Sequence, residues 1–162
     1  MLAPVIGSKV RRYISDDPLS AFLEDELPGE GGAVAATERL WRIRAPDVRE
    51  KAYFSLSLLP SILEIAQQDG RGSAPHRLSA LGAEAKLLGY DLARFQCRVD
   101  GSDYLILYEP ENSARLWGTM IFRLGRAVPV VIEVPRPVIE FHTLDVGYWL
   151  FDTLLARGMI WP

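Results

Sequence analysis

Residues 126–161 read RAVPVVIEVPRPVIEFHTLDVGYWLFDTLLARGMIW, a strand pattern followed by a turn and then a helix pattern. The run Val128–Val134 is almost continuously apolar and rich in β-branched residues. Such a run is typical of a central strand that is buried on both faces. Pro129 lacks an N–H donor, so we expect the strand to begin there or to have an irregular first pair.

The helix pattern after this turn begins with Thr143 as a predicted N-cap and Asp145 in the first turn, where negative charge is favoured. Gly158 is the predicted end of the helix. The apolar face of the helix is expected to comprise Leu144, Tyr148, Phe151, Leu154 and Leu155.

The short apolar run Met159–Trp161 follows the predicted helix. A helix that follows a buried strand normally returns to the sheet through a parallel strand, so we expect this run to begin one. We also expect the sheet to continue beyond residue 162. A short natural edge strand is the alternative.

Two hairpins are predicted before this unit. The segments RFQCRV and YLILYEP flank Asp100-Gly101, a strong hairpin signal. The segments LWGTMIFRLG and RAVPVVIEVP predict a second hairpin, with its turn at Gly125 and Arg126. Residues 95–134 should therefore form four strands in two antiparallel hairpins, with 128–134 the most buried.

The first half of the chain has mainly helical patterns, so we divide the protein into a helical N-terminal region, 1–90, and the start of an α/β domain, 91–162. The fold class is therefore α/β, with a mixed sheet that contains a strand–loop–helix unit. His76 falls in a linker-like stretch and is expected to be solvated. Helices are predicted over 16–27, from Ala33 onward, over 46–68 with a kink at Pro60, and over 78–88.

The composition is that of an ordinary globular protein, with 162 residues of which 49% are hydrophobic and 24% charged. The net charge of −3 gives no reason to expect nucleic acid as a partner. No apolar run reaches the roughly 18 residues of a membrane span, and no secretory signal is present, so the cytoplasm is the default compartment. One cysteine and two histidines exclude a Cys-rich zinc site. The oligomeric state is left open.

Residues 134–143 are the predicted turn in which we place the candidate site, because ligands bind beyond the carboxyl ends of strands in open α/β sheets. Arg136 suits a carboxylate or phosphate, and Thr143 lies at a helix start, where N–H groups bind anions. Glu140 and His142 can ligate a metal or move protons. The alternative is a purely structural turn, in which Arg136 and Glu140 pair with each other.

The segment VVIEVPRPVIE resembles the strand-then-Val-Pro-His segment of zinc-dependent amidohydrolases of the N-formylglutamate amidohydrolase and poly-γ-glutamate hydrolase kind. The resemblance implies a zinc-exopeptidase-like α/β sandwich, here truncated, with zinc as cofactor. Pro135 matches the family's proline and Glu140 its carboxylate. Arg136 stands where the first metal histidine belongs, and a protonated arginine cannot ligate zinc. The metal site is then either lost or rebuilt around Glu140 and His142.

Two functions follow from these residues. The first is a hydrolase-like domain that acts on an amide bond of an acidic or acylated substrate. Glu140 and His142 would then be catalytic groups or metal ligands, and Arg136 and Thr143 would bind the substrate. The second is a non-catalytic anion-binding, regulatory or protein-interaction domain on the same scaffold.

Overall fold

Six strands of the described part of the chain form one mixed sheet in the order β1-β2-β3-β4-β6-β5. The structure is a computed structural model, and it describes residues 10–26, 45–68, 75–110, 117–134 and 143–161. The strands are β1 (Arg11–Ser15), β2 (Asp91–Cys97), β3 (Asp103–Tyr108), β4 (Thr119–Arg123), β5 (Val128–Glu133) and β6 (Ala156–Trp161). The helices are α1 (Leu19–Glu26), α2 (Val48–Tyr53), α3 (Leu59–Gln67), α4 (Pro75–Leu87) and α5 (Thr143–Thr153). The protein is thus of the α/β class.

The predicted first hairpin is confirmed. β2 and β3 pair antiparallel, with Asp91 opposite Tyr108 at one end of the ladder. Gly101 in the connecting turn has φ 71°, a conformation that glycine adopts without steric cost. β3 then pairs antiparallel with β4.

The predicted second hairpin is wrong. β4 pairs antiparallel with β6, and Ile121 lies opposite Met159. The run at 128–134 is not a central strand either, because β5 pairs in parallel with β6 at the edge of the sheet and Val131 is 52% exposed. The physical reason is that β6 returns between β4 and β5. A β-branched run predicts a strand but does not determine its neighbours, and Pro129 is tolerated because the strand is at an edge.

The return strand predicted after the helix is confirmed as parallel to β5, and it begins earlier than expected, at Ala156. The helix ends at Thr153 instead of Gly158, since Leu155 has φ 49° and leaves the helical path. Leu154 and Leu155 are consequently exposed and are not part of the helix's packed face. Thr143 is the first helical residue.

One face of the sheet, which we call the first face, is covered by α1 and α5. Leu19, Phe22 and Leu23 of α1 and Phe151 of α5 belong to its core. Strand side chains supply the rest of this core: Ala93, Phe95, Cys97, Tyr104, Ile106, Tyr108, Ile121, Val134, Ala156 and Met159.

The opposite, second face is covered by the helices of residues 48–87, which pack on Leu92, Leu105, Leu107 and Phe122. A π-helical segment, Phe54–Leu58, joins α2 to α3 directly before Pro60. Proline cannot donate to an i−4 carbonyl, and the wider π turn accommodates this defect where a kink was predicted.

β1 was not predicted, and it pairs in parallel with β2. The sheet therefore contains a strand from before residue 90. His76 lies in the first turn of α4, where it is exposed, and not in a linker. The helix predicted from Ala33 lies outside the described residues.

The strand directions define two ends of the sheet. We call one end the rim: β3, β5 and β6 end there, and β1, β2 and β4 begin there. The opposite end, where β1, β2 and β4 end, is called the lower end. α5 begins at the rim, because it follows the end of β5. Among the described residues, no helix combines the length and hydropathy needed to cross a membrane.

Candidate functional site

The end of β5 and the start of α5, which flank the predicted site in the chain, both lie at the rim. The backbone N–H of Val134 donates to the carbonyl of Ile160 (2.9 Å), which ties the end of β5 to β6. Of the four predicted site residues, the structure describes Thr143, which is half-buried at the first position of α5. Arg136, Glu140 and His142 lie outside the described residues.

The start of α5 is held against the end of β5 by an unusually close contact. A Cβ atom at Gly147 would overlap Cγ2 of Val134, so only glycine allows this approach. Both residues are buried. The contact fixes the N-terminus of the helix directly beyond the strand, which is the arrangement that α/β folds use to present helix N–H groups to an anion.

Carboxylates also lie near this end of the molecule. Asp145 is in the first turn of α5 and is exposed, and Glu133 is exposed at the end of β5. The partial positive charge of the helix start favours Asp145 where it is. A bound anion would therefore need an additional cation, which is the role predicted for Arg136.

A second polar group lies on the first face of the rim. Arg11 and Tyr13 are two residues apart on β1, and Tyr13 packs against the core of the first face. Asp91 and Tyr108 are opposite each other on β2 and β3, and Tyr108 belongs to the same core. Because side chains two residues apart share a face of a strand, these four residues converge at one place. Asp91 forms an ion pair with Lys86 of α4.

The Tyr108 hydroxyl is the unusual atom of this group. Tyr108 is 3% exposed, and among the described residues its hydroxyl has no hydrogen-bond partner. Tyr13 is close enough to influence the pKa of Tyr108 without the geometry of a hydrogen bond. Burial raises the pKa of Tyr108 to about 12, while the nearby positive charge of Arg11 opposes the rise. At neutral pH the hydroxyl is therefore a protonated donor, and leaving it unsatisfied costs about 1–3 kcal/mol.

Arg11 is exposed, and its guanidinium interacts with this group. A hydrogen bond to Tyr13 is the main reason that the pKa of Arg11 is raised, and Tyr108 and Asp91 add smaller electrostatic effects. The position of Arg11 beside the buried phenol of Tyr108 was not predicted from the sequence.

The lower end of the first face carries a buried cation that the sequence interpretation missed. Arg123 is 7% exposed and donates from Nη1 to the hydroxyl of Tyr104 (3.0 Å). Its Nη2 donates to the carbonyl of Phe151 (3.4 Å) and to Oδ1 of Asp152 (3.0 Å). The guanidinium also lies 5.0 Å from the ring centroid of Tyr104 and 4.7 Å from that of Phe151. A cation at the C-terminus of α5 complements the helix dipole, which assigns Arg123 a structural role.

A metal centre has little support in the described part of the chain. No group of three or more His, Cys, Asp or Glu side chains that could hold a metal occurs among these residues. Zinc in a catalytic site normally takes three protein ligands. Glu140 and His142 are two candidates, and Asp91 on the rim is engaged with Lys86. Because Glu140 and His142 lie outside the described residues, the predicted metal site stays a prediction.

No protein-family model, no curated protein and no solved structure matches this chain. The resemblance to zinc-dependent amidohydrolases accordingly stays a prediction.

Proposed function

We propose that this α/β protein binds a small anionic molecule at the rim, with the anion held at the start of α5 by Thr143 and Arg136. The observation that carries the proposal is the packing of Gly147 on Val134, which fixes the helix start at the end of β5. Arg136 is in the segment that connects these two fixed points. A guanidinium and the N–H groups of a helix start are both suited to bind a carboxylate or phosphate.

Hydrolysis of an amide bond in an acidic or acylated substrate is the second candidate function. What favours it is the strand–loop–helix–parallel strand unit from β5 to β6, in which both strands end at the rim. In this function, Glu140 and His142 serve as metal ligands or transfer protons.

Binding is tested by titrating the protein with phosphate and with small mono- and dicarboxylates, followed by calorimetry or NMR. We expect Arg136→Ala to weaken binding at least about tenfold, since a charge-assisted hydrogen bond is lost. Its melting temperature should stay close to that of the parent. Arg126→Ala is the matched control, because Arg126 is an exposed arginine before β5 at the lower end. It should change neither property.

Absence of binding by the parent protein would overturn the proposal. So would an Arg136→Ala variant that melts earlier but binds as the parent does, since Arg136 would then be a structural residue. Hydrolysis is assayed separately with N-acylated acidic amino acids, with Glu140→Gln as the inactive variant. Turnover that survives Glu140→Gln would remove the second candidate.

A further inference from the structure

The two edge strands of the sheet, β1 and β5, differ in how they are protected against pairing with another strand. In the described part of the chain, each is paired on one side only. β5 contains Pro129, which lacks an N–H group, and a bulge between Val128 and Val131, and both features discourage edge pairing. β1 pairs with β2 in regular register and contains no proline. β1 is therefore the edge better suited to accept a further strand.

The backbone groups of β1 that point away from β2 follow from one hydrogen bond. The N–H of Arg98 donates to the carbonyl of Ser15 (2.9 Å), so the polar backbone groups of Ser15 are directed toward β2. Alternate residues of a strand direct these groups to opposite sides. Arg12 and Ile14 therefore direct theirs outward, and the next outward position is Asp16, directly after the strand. An added strand would bond to these positions.

The sequence of this edge complements itself in charge. Residues 11–17 read Arg-Arg-Tyr-Ile-Ser-Asp-Asp, and the two arginines and the two aspartates are all exposed. If two copies pair antiparallel about Ile14, both arginines of each copy lie opposite both aspartates of the other. Opposite charges directly across a strand pair are stabilising and like charges are destabilising. The charge pattern thus favours this one register and disfavours parallel pairing in register.

The register set by charge coincides with the register set by hydrogen bonding. Ile14 is an outward position, so two Ile14 residues on a two-fold axis form a hydrogen-bonded antiparallel pair. Arg12 of each copy and Asp16 of the other form such pairs as well. The Ile14 side chain is 56% exposed, and the pairing would place it against the same side chain of the second copy.

Asp16 is available for this contact. Within the chain it lies 3.6 Å from Arg98, with the two side chains 70% and 63% exposed respectively. An exposed ion pair of this kind contributes little to stability. Asp16 can therefore turn toward Arg12 of a second copy at little cost.

We propose that β1 is a homodimer interface, in which two copies pair antiparallel through residues 11–17 about a two-fold axis at Ile14 and join their sheets into one. The partner is a second copy because the segment supplies both halves of its own charge pattern. The inference goes beyond anion binding and does not depend on it. The contact is short and its ion pairs are exposed, so the dimer is weak and is weakened further by salt.

Charge reversal tests the register, by sedimentation velocity on the full chain at low salt up to about 1 mM protein. Arg12→Glu and Asp16→Lys each convert two opposite-charge pairs into like-charge pairs, so each should weaken association at least about tenfold. An equimolar mixture of the two variants restores opposite charges in every pair and should associate again. Arg126→Glu is the matched control, because it makes the same charge change at an exposed position before the other edge strand. It should associate as the parent does.

Cross-linking tests the two-fold axis. The Cα atoms of a hydrogen-bonded antiparallel pair are about 5.5 Å apart, which is within the range of a disulfide. Ile14→Cys should therefore form a covalent dimer under mild oxidation, and the native Cys97 does not compete because it is buried. Val99→Cys is the matched control, because Val99 is 77% exposed but lies in the β2–β3 turn. It should stay largely monomeric.

The proposal is supported if the mixture of charge variants associates while each variant alone does not, and if Ile14→Cys cross-links faster than Val99→Cys. A parent protein that is monomeric throughout this concentration range, with equal cross-linking of the two cysteine variants, would overturn it. A dimer that survives Arg12→Glu would also overturn it, because another surface would then hold the copies together. Failure of the mixture to associate would have the same consequence, since both variants would have lost association for a reason other than charge.

Discussion

Tyr104 and Tyr108 lie on the same strand and the same face, four residues apart, yet their hydroxyls have different surroundings. Tyr104 is near the lower end, and its hydroxyl accepts a hydrogen bond from Arg123. Tyr108 is at the rim, and its hydroxyl has no partner among the described residues. Both tyrosines are almost fully buried, so the difference is not one of exposure.

The difference distinguishes a structural end of the molecule from a candidate binding end. At the lower end, Arg123 satisfies a phenol, a helix C-terminal carbonyl and a carboxylate at once. At the rim, the Tyr108 hydroxyl is buried without a hydrogen-bond partner among the described residues; at the lower end, Nε is the one nitrogen of the Arg123 guanidinium in the same situation. Natural structures rarely leave such groups without a water, ion or ligand.

The largest effect is expected from Arg123→Ala at the lower end. The substitution leaves the Tyr104 hydroxyl and the Phe151 carbonyl with one partner fewer and removes the two ring contacts. We expect the free energy of unfolding to fall by about 3 kcal/mol, measured by chemical denaturation. Anion binding at the rim should persist in the folded fraction.

The control for this variant is Asp152→Asn. The Asp152 side chain is 58% exposed, so its ion pair with Arg123 should contribute less than about 1 kcal/mol. An Arg123→Ala protein that unfolds within about 1 kcal/mol of the parent would contradict the structural role of the lower end.

The second prediction concerns the attachment of α5 at the rim. Gly147→Ala introduces a Cβ that overlaps Val134, so helix and strand must separate. We expect a loss of about 2 kcal/mol in the free energy of unfolding, after the better helix propensity of alanine has offset up to about 1 kcal/mol. Anion affinity should fall as well, because the helix start moves relative to β5.

A double variant tests the cause. Val134→Ala removes the methyl groups that meet the new Cβ, so adding it to Gly147→Ala should recover part of the lost stability if steric overlap is responsible. If Gly147→Ala is instead more stable than the parent, helix propensity dominates and the close contact does not position α5.

Local elements were predictable from the sequence because their signals are local. The hairpin at Asp100-Gly101 is encoded by a dipeptide with a defined turn geometry. The parallel return strand followed from the order of a strand pattern, a helix pattern and Met159–Trp161. Strand neighbours were not predictable in the same way. The pairing of Ile121 with Met159 joins residues far apart in the chain, and nothing in Val128–Val134 indicates an edge.

For the candidate site, too, the sequence indicated local features but not which distant residues come together. The turn at 134–143 was predicted as the site, and of its four predicted site residues the structure describes Thr143, which lies at the helix start. Arg11 and Tyr108 were missed because parallel pairing of β1 with β2 brings them together, and five residues with two exposed arginines carry a weak strand signal. The period-two spacing of Tyr104 and Tyr108 does indicate a shared face. It cannot show which hydroxyl has a partner.

The smallest effects, and the most direct test of the comparison, come from the matched pair Tyr104→Phe and Tyr108→Phe. Each removes one buried oxygen and leaves the ring in place. Tyr104→Phe removes the acceptor of an Arg123 hydrogen bond, so the free energy of unfolding should fall by about 1 kcal/mol. Tyr108→Phe removes a donor that has no partner among the described residues, so stability should stay within about 0.5 kcal/mol of the parent or increase. Both values come from denaturant titrations under identical conditions. Equal losses in the two variants would mean that the Tyr108 hydroxyl is satisfied in the free protein. The Tyr108 hydroxyl would then have a partner, as the Tyr104 hydroxyl does, and would give no reason to expect a ligand at the rim.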